Sequence, residues 1–555
     1  MSDATHAQFD APHDPAPAED LDQTALAMLD VLVNRLSDNL DHPEVWALLG
    51  ELRGDAGMPT LLHTLRAARP RVGDPGIGHN LDVIEALIIA LREDKATGIA
   101  RLKALEQRDP ASPLTAGASF YADRIDDPQR TADLSARFCS SPFIKFETLV
   151  DGTVAPCCSI WTQHRLGHLD RSGFEEIWNS PDAQEMRASI LDGSYRHCHK
   201  QRCTLILEDS LPLRDEVTDP GLRAILDGKL TRLETLPRWL FLAHDPTCNL
   251  ACPSCRAGLE IADAYQQARF DVIMDRVLRP MLDNGDDMTV SVSGQGDPWS
   301  SHHYRGILRH LADSERQVNL QIYTNALLMS ERRWAEHVGL ARHNPRVDVS
   351  IDAASPWVYE HVRRPGKWAT LIENLRFIAG QHKAGVFHAF SLNATVQLDN
   401  FQELPALVAL AEELDADELR LYMIQNTGTH LSNSYARANV AGAEHPLHLA
   451  FLETLRDPCL AGAKVHMYDV GTWRAIALER TLPSDALGQH WSRDDAIAAI
   501  GEHIQANDFI TAAALCAAVR IRLPGDVNIL QAEGAIYDHL GFVRQGNWRR
   551  AMAGA

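Results

Sequence analysis

Residues Pro237–Cys255 read PRWLFLAHDPTCNLACPSC: a short β-type run passes directly into a loop that carries Cys248, Cys252 and Cys255. Five more such runs follow in order, DMTVSVSG, VNLQIYTNA, RVDVSIDA, FSLNATVQL and ELRLYMIQN. Segments of helical spacing separate them, among them DVIMDRVLRPMLDNG, YRGILRHLADS, WATLIENLRFIAGQH and LPALVALAEELDA. Strands alternating with helices predict a parallel sheet buried on both faces, with the working residues at the carboxyl ends of the strands. Six such units are too few to close an eight-stranded barrel. The expected fold class is α/β, a partial (βα)6 barrel over 235–430, with the cysteine loop directly after its first strand.

The flanks have a different period. From Leu21 to Leu114 apolar residues recur at spacings of three and four, broken by Pro and Gly, which predicts a helical domain over 21–130. The acidic, Ala- and Pro-rich start, 1–20, lacks the order of a secretion signal and is expected to be a disordered tail. Residues 431–484 are expected to extend the barrel. The last stretch, 485–555, contains paired helices with small residues at their crossings, resembling a tetratricopeptide-like repeat; an ordinary helical cap fits the same pattern.

A chain of 555 residues, 45% of them hydrophobic, is long enough for several domains. Its 53 Lys and Arg against 75 Asp and Glu leave a formal charge of -22, which repels a phosphate backbone, so nucleic acid is not an expected partner. No apolar run reaches the length that crosses a bilayer, and a cytoplasmic protein is expected, with no membrane partner. Of the 10 cysteines, those from Cys139 to Cys255 are clustered, while Cys459 and Cys516 stand alone. Clustered cysteines in a reducing compartment point to metal or cluster ligation.

CxxxCxxC spacing lets three thiolates wrap one corner of a cubic iron-sulfur cluster, leaving the fourth iron without a protein ligand. A zinc ion with a distant fourth ligand is the alternative. The strand ends that follow resemble those of radical S-adenosylmethionine enzymes over about Arg238 to Asn426. SGQGDP, with Gly294, Gly296, Asp297 and Pro298, is similar to the G-x-G-E-P turn that meets the methionine amino group; Thr324-Asn325-Ala326 is similar to Thr-Asn-Gly; Ser350-Ile351-Asp352 and YEHVRRPGKW are similar to Ser-Ile-Asp and Tyr-Glu-x-x-Arg. The resemblance implies that Ser350 contacts the cofactor's ribose or carboxylate and Arg363 its carboxylate, with Gln397, Asn400 and Asn426 as further polar contacts. Asp297 is shorter than the usual Glu, and Ser254 stands where many members carry an aromatic ring. The implied cofactors are S-adenosylmethionine and a [4Fe-4S] cluster with an open iron at Cys248, Cys252 and Cys255. The implied chemistry is one-electron cleavage to methionine and a deoxyadenosyl radical that takes hydrogen from a substrate. The electron would come from a low-potential donor such as flavodoxin or ferredoxin.

Ahead of the barrel, 135–210 contains a cysteine, a hairpin turned at Asp151-Gly152, a Cys157-Cys158 pair, a helix with Glu-Ile-Trp-Asn-Ser, and Cys198 and Cys203. This order resembles the SPASM domain, an auxiliary iron-sulfur module that normally follows the barrel. The resemblance implies one auxiliary [4Fe-4S] cluster on Cys139, Cys157, Cys198 and Cys203, with Cys158 exchangeable for Cys157; a four-cysteine zinc site is the alternative. Enzymes of this combined kind mostly modify peptides or proteins, and some act on sugars or other small metabolites. A peptide or protein is the expected substrate, a small metabolite the alternative, and a non-catalytic cluster or zinc scaffold a third reading. No catalytic acid or base can be named, although Asp352 and Glu360 stand at or near a strand end.

Overall fold

The computed structural model describes residues 75–92, 94–108, 112–124, 134–159, 161–200, 203–207, 209–285, 287–425, 432–488 and 490–554, together with Val33, Leu49 and Leu65. The expected tail, most of the helical segments before residue 75, and Asn426 lie outside the described residues. The chain forms two compact units, Met1–Leu134 with Arg196–Leu211, and Ser135–Tyr195 with Pro212–Ala555.

In the first unit three helices, Pro75–Arg92, Lys95–Arg108 and Pro113–Arg124, pack side by side. Val83, Ile84, Leu87 and Leu91 form the apolar stripe of the first, against Leu102 and Leu105 of the second and Leu114, Ala118 and Ala122 of the third. Asp94 caps the second helix, accepting from the Thr97 N–H at 2.9 Å.

The second unit is built on one mixed sheet. Its strands are β1 (Lys145–Thr148), β2 (Thr153–Ala155), β3 (Gly167–His168), β4 (Trp239–Leu242), β5 (Thr289–Val292), β6 (Asn319–Thr324), β7 (Arg346–Ser350), β8 (Ala389–Val396), β9 (Glu418–Met423) and β10 (Val465–His466). The order is β10-β9-β8-β7-β6-β5-β4-β1-β2-β3. From β4 to β9 each strand pairs in parallel with the next, so the six expected strands lie in chain order. The hairpin ahead of the expected barrel does not form a separate sheet: β1 pairs in parallel with β4, Lys145 opposite Trp239 and Thr148 opposite Leu242. At the other edge β10, from the expected extension, pairs in parallel with β9.

The two faces of this sheet differ in polarity, although the polar one is also largely buried, with Ser291, Asp348 and Ser391 at 1% exposure or less. Leu240, Leu242, Val290, Val292, Leu320, Ile322, Val347, Val349, Leu419 and Leu421 are buried on one face. The alternate positions carry a polar ladder: Trp239 Nε1 donates to Ser291 Oγ at 2.9 Å, Ser291 Oγ to Gln321 Oε1 at 2.8 Å, and Arg420 reaches Asp348 at 2.8 Å. β4, β6 and β9 accordingly alternate between buried and partly exposed residues.

The segment DVIMDRVLRPMLDN also differs from a plain helix. It begins at Ala264, after an Asp263 cap, and passes through a π-helical turn over Met274–Leu278 before Arg279–Asn284. Pro280 lacks an N–H and crowds the carbonyl one turn earlier, and the wider turn just ahead of it relieves that conflict. At the carboxyl end four helices, Arg493–Gln505, Phe509–Arg522, Val527–His539 and Val543–Gly554, each pack on the next.

Candidate functional site

The cysteine loop begins where β4 ends, and short polar contacts fix its root. His244 Nε2 lies 2.9 Å from His303 Nε2, and His244 Nδ1 lies 2.8 Å from Thr148 Oγ1 at the end of β1. Burial lowers the pKa of both rings, His303 to about 4, so the pair is neutral at physiological pH. The Asp245 carboxylate accepts from Ser301 Oγ and from the Thr247 N–H at 2.8 Å, and Tyr304 OH accepts from the Asp245 N–H at 2.9 Å.

Along the loop, Cys248 N–H donates to the Glu260 carbonyl at 2.9 Å, Ala251 N–H to the Arg364 carbonyl at 2.7 Å, and Cys255 N–H to the Cys252 carbonyl at 2.9 Å. Cys248 and Cys252 are buried and cluster with Leu250, packed by Leu327; Cys255 is exposed. Burial raises the Cys248 thiol to about 11 and raises Cys252. Arg256, next in sequence to Cys255, clamps the loop: its Nη1 donates to the Pro246 carbonyl at 2.6 Å and its Nη2 to the Gln295 carbonyl, with Cys255 Sγ 3.6 Å away.

The strand ends that carry the expected cofactor residues meet this loop. After β5, Gly294 and Gly296 sit where a side chain would collide: an added Cβ would stand 2.5 Å from the Phe241 ring at Gly294, and 2.6 Å from the carbonyl oxygens of Asp245 and Thr247 at Gly296. Their smallness therefore lets the turn approach the root of the cysteine loop. Asp297 N–H donates to the Thr247 carbonyl at 2.9 Å. The Asp297 carboxylate, 1% exposed, accepts from Thr324 Oγ1 at 2.7 Å and from the N–H groups of Asn325 at 2.9 Å and Trp299 at 3.0 Å. Burial raises its pKa, and these donors oppose the rise. Pro298 follows in the same turn. Asp297 and Thr324 thus hold two strand ends together.

Asn325 reaches the loop itself, its Nδ2 2.9 Å from Asn249 Oδ1 and 3.7 Å from Cys248 Sγ. Ser350 stands half-buried at the end of β7. Arg363, at the end of the helix Pro356–Val362, is held by Asp352: Nε and Oδ2 are 2.7 Å apart, and Nη1 lies 3.9 Å from Cys252 Sγ. Burial opposes the guanidinium charge, but Asp352 and Cys252 outweigh it and raise the pKa. Asn400 acts as a brace, its Nδ2 donating to the Asp352 and Thr395 carbonyls at 2.7 Å each and its Oδ1 accepting from the Gln397 N–H at 2.8 Å. Glu360 lies outward, 2.9 Å from Lys367 Nζ.

Four features escaped the sequence reading: the Arg256 clamp, the Asp352–Arg363 pair, and the side chains of Ser293 and Tyr359. Ser293 Oγ and Tyr359 OH are buried without a hydrogen-bond partner among the described residues. Adjacency to Cys255 was the available signal for Arg256; Asp352, Arg363 and Tyr359 stood in quoted motifs that gave no sign of their pairing or of an unpaired hydroxyl, and Ser293 had only its place beside the glycine turn.

The upstream cysteines fall in both units. Cys139 and Cys157 belong to the second, Cys157 following β2, with its Sγ 3.7 Å from the Cys158 carbonyl. Cys198 and Cys203 belong to the first, where Cys203 N–H donates to the His199 carbonyl at 2.9 Å. Among the described residues no three His, Cys, Asp or Glu side chains gather as a site for a single metal ion. A cubic cluster binds each thiolate through a different iron and does not call for such convergence. No helix among the described residues is long and apolar enough to cross a membrane.

Residues 139–204 match the model of the SPASM iron-sulfur cluster-binding domain. The chain is 27% identical over 220 residues to PqqA peptide cyclase of Rhodopseudomonas palustris, covering 38% of this chain and 52% of that protein. It is 26% identical over 157 residues to GTP 3',8-cyclase of Peptoclostridium acidaminophilum, covering 27% of this chain and 44% of that protein. The matches thus span about half the length of these curated relatives. Among solved structures, Streptococcus suis SuiB bound to the precursor peptide SuiA is 16% identical, with a TM-score of 0.30, over 53% of this chain and 64% of that one. Taken with the strand-end motifs, the SPASM match over 139–204 and the two curated relatives support the resemblance to radical S-adenosylmethionine enzymes that carry a SPASM domain.

Proposed function

We propose that Cys248, Cys252 and Cys255 bind a [4Fe-4S] cluster whose open iron takes S-adenosylmethionine, and that the chain uses them to abstract hydrogen from a peptide or protein. The observation that carries this reading is the contact of two strand ends and one helix end with one cysteine loop: Asp297 to Thr247 at 2.9 Å, Asn325 to Cys248 at 3.7 Å, and Arg363 to Cys252 at 3.9 Å. A structural metal loop has no need for such convergence.

The residues fit the groups assigned to them. Three thiols on one loop supply an iron-binding donor set, and the buried hydroxyls of Ser293 and Tyr359, without partners among the described residues, await a polar ligand. The bound cluster and cosubstrate supply reductive carbon-sulfur cleavage and a deoxyadenosyl radical. The chain's own part is positioning. Arg256 fixes the loop, Asn325 and Arg363 direct N–H groups toward its sulfurs, and Gly294, Gly296, Asp297, Pro298 and Thr324 shape the wall on which the amino acid moiety rests. Ser350 lies at the ribose or carboxylate end. N–H groups near cluster sulfurs raise a cluster's reduction potential, which eases its reduction by a flavodoxin- or ferredoxin-like donor.

In the same reading β4 to β9 curl as a partial (βα)6 barrel, with the polar ladder toward the substrate, and the last four helices are tetratricopeptide-like. Cys139, Cys157, Cys198 and Cys203 bind one auxiliary cluster, with Cys158 able to replace Cys157, and the protein works in the cytoplasm. A peptide substrate is supported by the relative named PqqA peptide cyclase. A small-molecule substrate is the second reading, supported by the relative named GTP 3',8-cyclase. Anaerobic incubation with dithionite, S-adenosylmethionine and candidate peptides tests the pair: deoxyadenosine formation stimulated by a peptide, with a mass change in that peptide, is expected. Deoxyadenosine stimulated only by small metabolites would move the assignment to the second reading.

A further inference from the structure

Tyr359 lies within the helix Pro356–Val362, one turn before Arg363. Its side chain is 0% exposed, yet its hydroxyl has no hydrogen-bond partner among the described residues. A buried phenol is almost always paired, because stripping it of water without replacement costs stability. The ring is held in place: Trp368 packs against it at 5.7 Å between centroids, and Gly366 makes room for it, since an added Cβ would stand 3.1 Å from Cε1. The charges acting on the hydroxyl are those of Arg363, Cys252, Asp352 and Asp297, which come from the cysteine loop and from two different strand ends. The hydroxyl therefore lies in the region where these elements meet, one helical turn from Arg363.

Arg363 cannot serve that region with its whole fork, because Nε is 2.7 Å from Asp352 Oδ2. What remains there is the outer edge of one guanidinium and one phenol, both of them donors, beside carboxylates already occupied: Asp297 by Thr324, Asn325 and Trp299, and Asp352 by Arg363 and by the Thr395 N–H at 2.7 Å. A phenol without a local acceptor, beside a guanidinium edge whose other contact is the Cys252 sulfur at 3.9 Å, selects a ligand oxygen that carries negative charge. We propose that Tyr359 donates its hydroxyl proton in a hydrogen bond to the carboxylate of bound S-adenosylmethionine, sharing with Arg363 a contact for which the family resemblance names Arg363 and Ser350 but not the tyrosine. This rests on the cofactor reading above. Asp352 becomes a positioning residue, because it aims the guanidinium that Tyr359 complements.

Tyr359→Phe keeps the ring and removes only the donor. In the full chain without cofactors this variant loses an unpaired buried hydroxyl, so its urea midpoint is expected to equal or exceed that of the parent; a clearly lower midpoint overturns the proposal, because it would mean the hydroxyl already has a partner. In the anaerobically reconstituted chain, S-adenosylmethionine binding is read from the change in the reduced cluster's electron paramagnetic resonance spectrum during titration. The variant is expected to bind about 10- to 100-fold more weakly at unchanged iron content. Decarboxylated S-adenosylmethionine is the second probe, and parent and variant should bind it equally. Parental affinity of the variant for S-adenosylmethionine, or an equal loss toward both compounds, overturns the carboxylate contact. A parent chain that holds its cluster and does not respond to S-adenosylmethionine overturns the cofactor reading itself, a result distinct from either.

Discussion

Asp297 shows how much one side chain does at this site. Its buried carboxylate ties the turn after β5 to the end of β6, so Asp297→Ala leaves the N–H groups of Trp299 and Asn325 and the hydroxyl of Thr324 without their acceptor. A loss of about 3 kcal/mol is expected in urea unfolding, together with reduced iron loading of the cysteine loop; parental stability would remove Asp297 from the framework. Gly296→Ala tests the neighbouring contact without changing charge. A methyl group 2.6 Å from two backbone carbonyls must push the turn off the loop, and iron bound per chain should fall. The motif residues were legible because their spacing and order are fixed by the loop they serve. Their roles were less so: Gly294 and Gly296 read as making way for a ligand, and the structure adds that they make way for Phe241 and the Asp245–Thr247 backbone. Tyr359 was legible only as part of a motif, because nothing in a sequence tells which buried hydroxyl lacks a partner.

At the level of elements, β4 to β9 were legible because each is bounded by turn residues and followed by a helical period. The in-sheet pairing of β1 with β4 was not, because it joins residues 94 positions apart, Lys145 and Trp239, and sequence periodicity reports local structure only. The docking of the last helices is another long-range feature. Gln402, just beyond β8, donates to Tyr537 OH; Gln545 Nε2 reaches Asp399 Oδ1 at 2.5 Å; and Arg437 packs on Phe542, with 4.7 Å from guanidinium carbon to ring centroid. His445 stacks on the same Phe542 ring at 5.4 Å, and burial lowers its pKa to about 4. A histidine depressed from 6.5 binds its proton more readily in the unfolded chain, so its contribution is complete above about pH 6.5 and is lost as the pH falls toward about 4. The unfolding free energy from urea titration should therefore fall across this window, by at most about 1.4 kcal/mol per pH unit for this group. His445→Gln should make the slope shallower; an unchanged slope would mean that the ring is not neutral in the fold. His303, also lowered to about 4 by burial, acts in the same direction at the root of the cysteine loop.

For the molecule as a whole, the proposed function assigns the start of the chemistry to the cysteine loop and the presentation of substrate to the polar face of the sheet. The loop and the strand ends that contact it lie in one compact unit, whereas the upstream cysteines are distributed between both units. Replacing Cys248, Cys252 and Cys255 together by Ala should thus remove about half of the iron that two clusters would bring, from about eight atoms per chain to about four, and leave the circular dichroism spectrum intact. Loss of all iron would mean that the two sites assemble together. The central claim is that three cysteines with one open iron generate a radical from S-adenosylmethionine. The most direct measurement is deoxyadenosine formed by the anaerobically reconstituted, dithionite-reduced chain, compared with the triple Ala variant. Several turnovers by the parent and none by the variant are predicted; a fully loaded parent that forms no deoxyadenosine, or a variant that forms as much as the parent, would contradict the account.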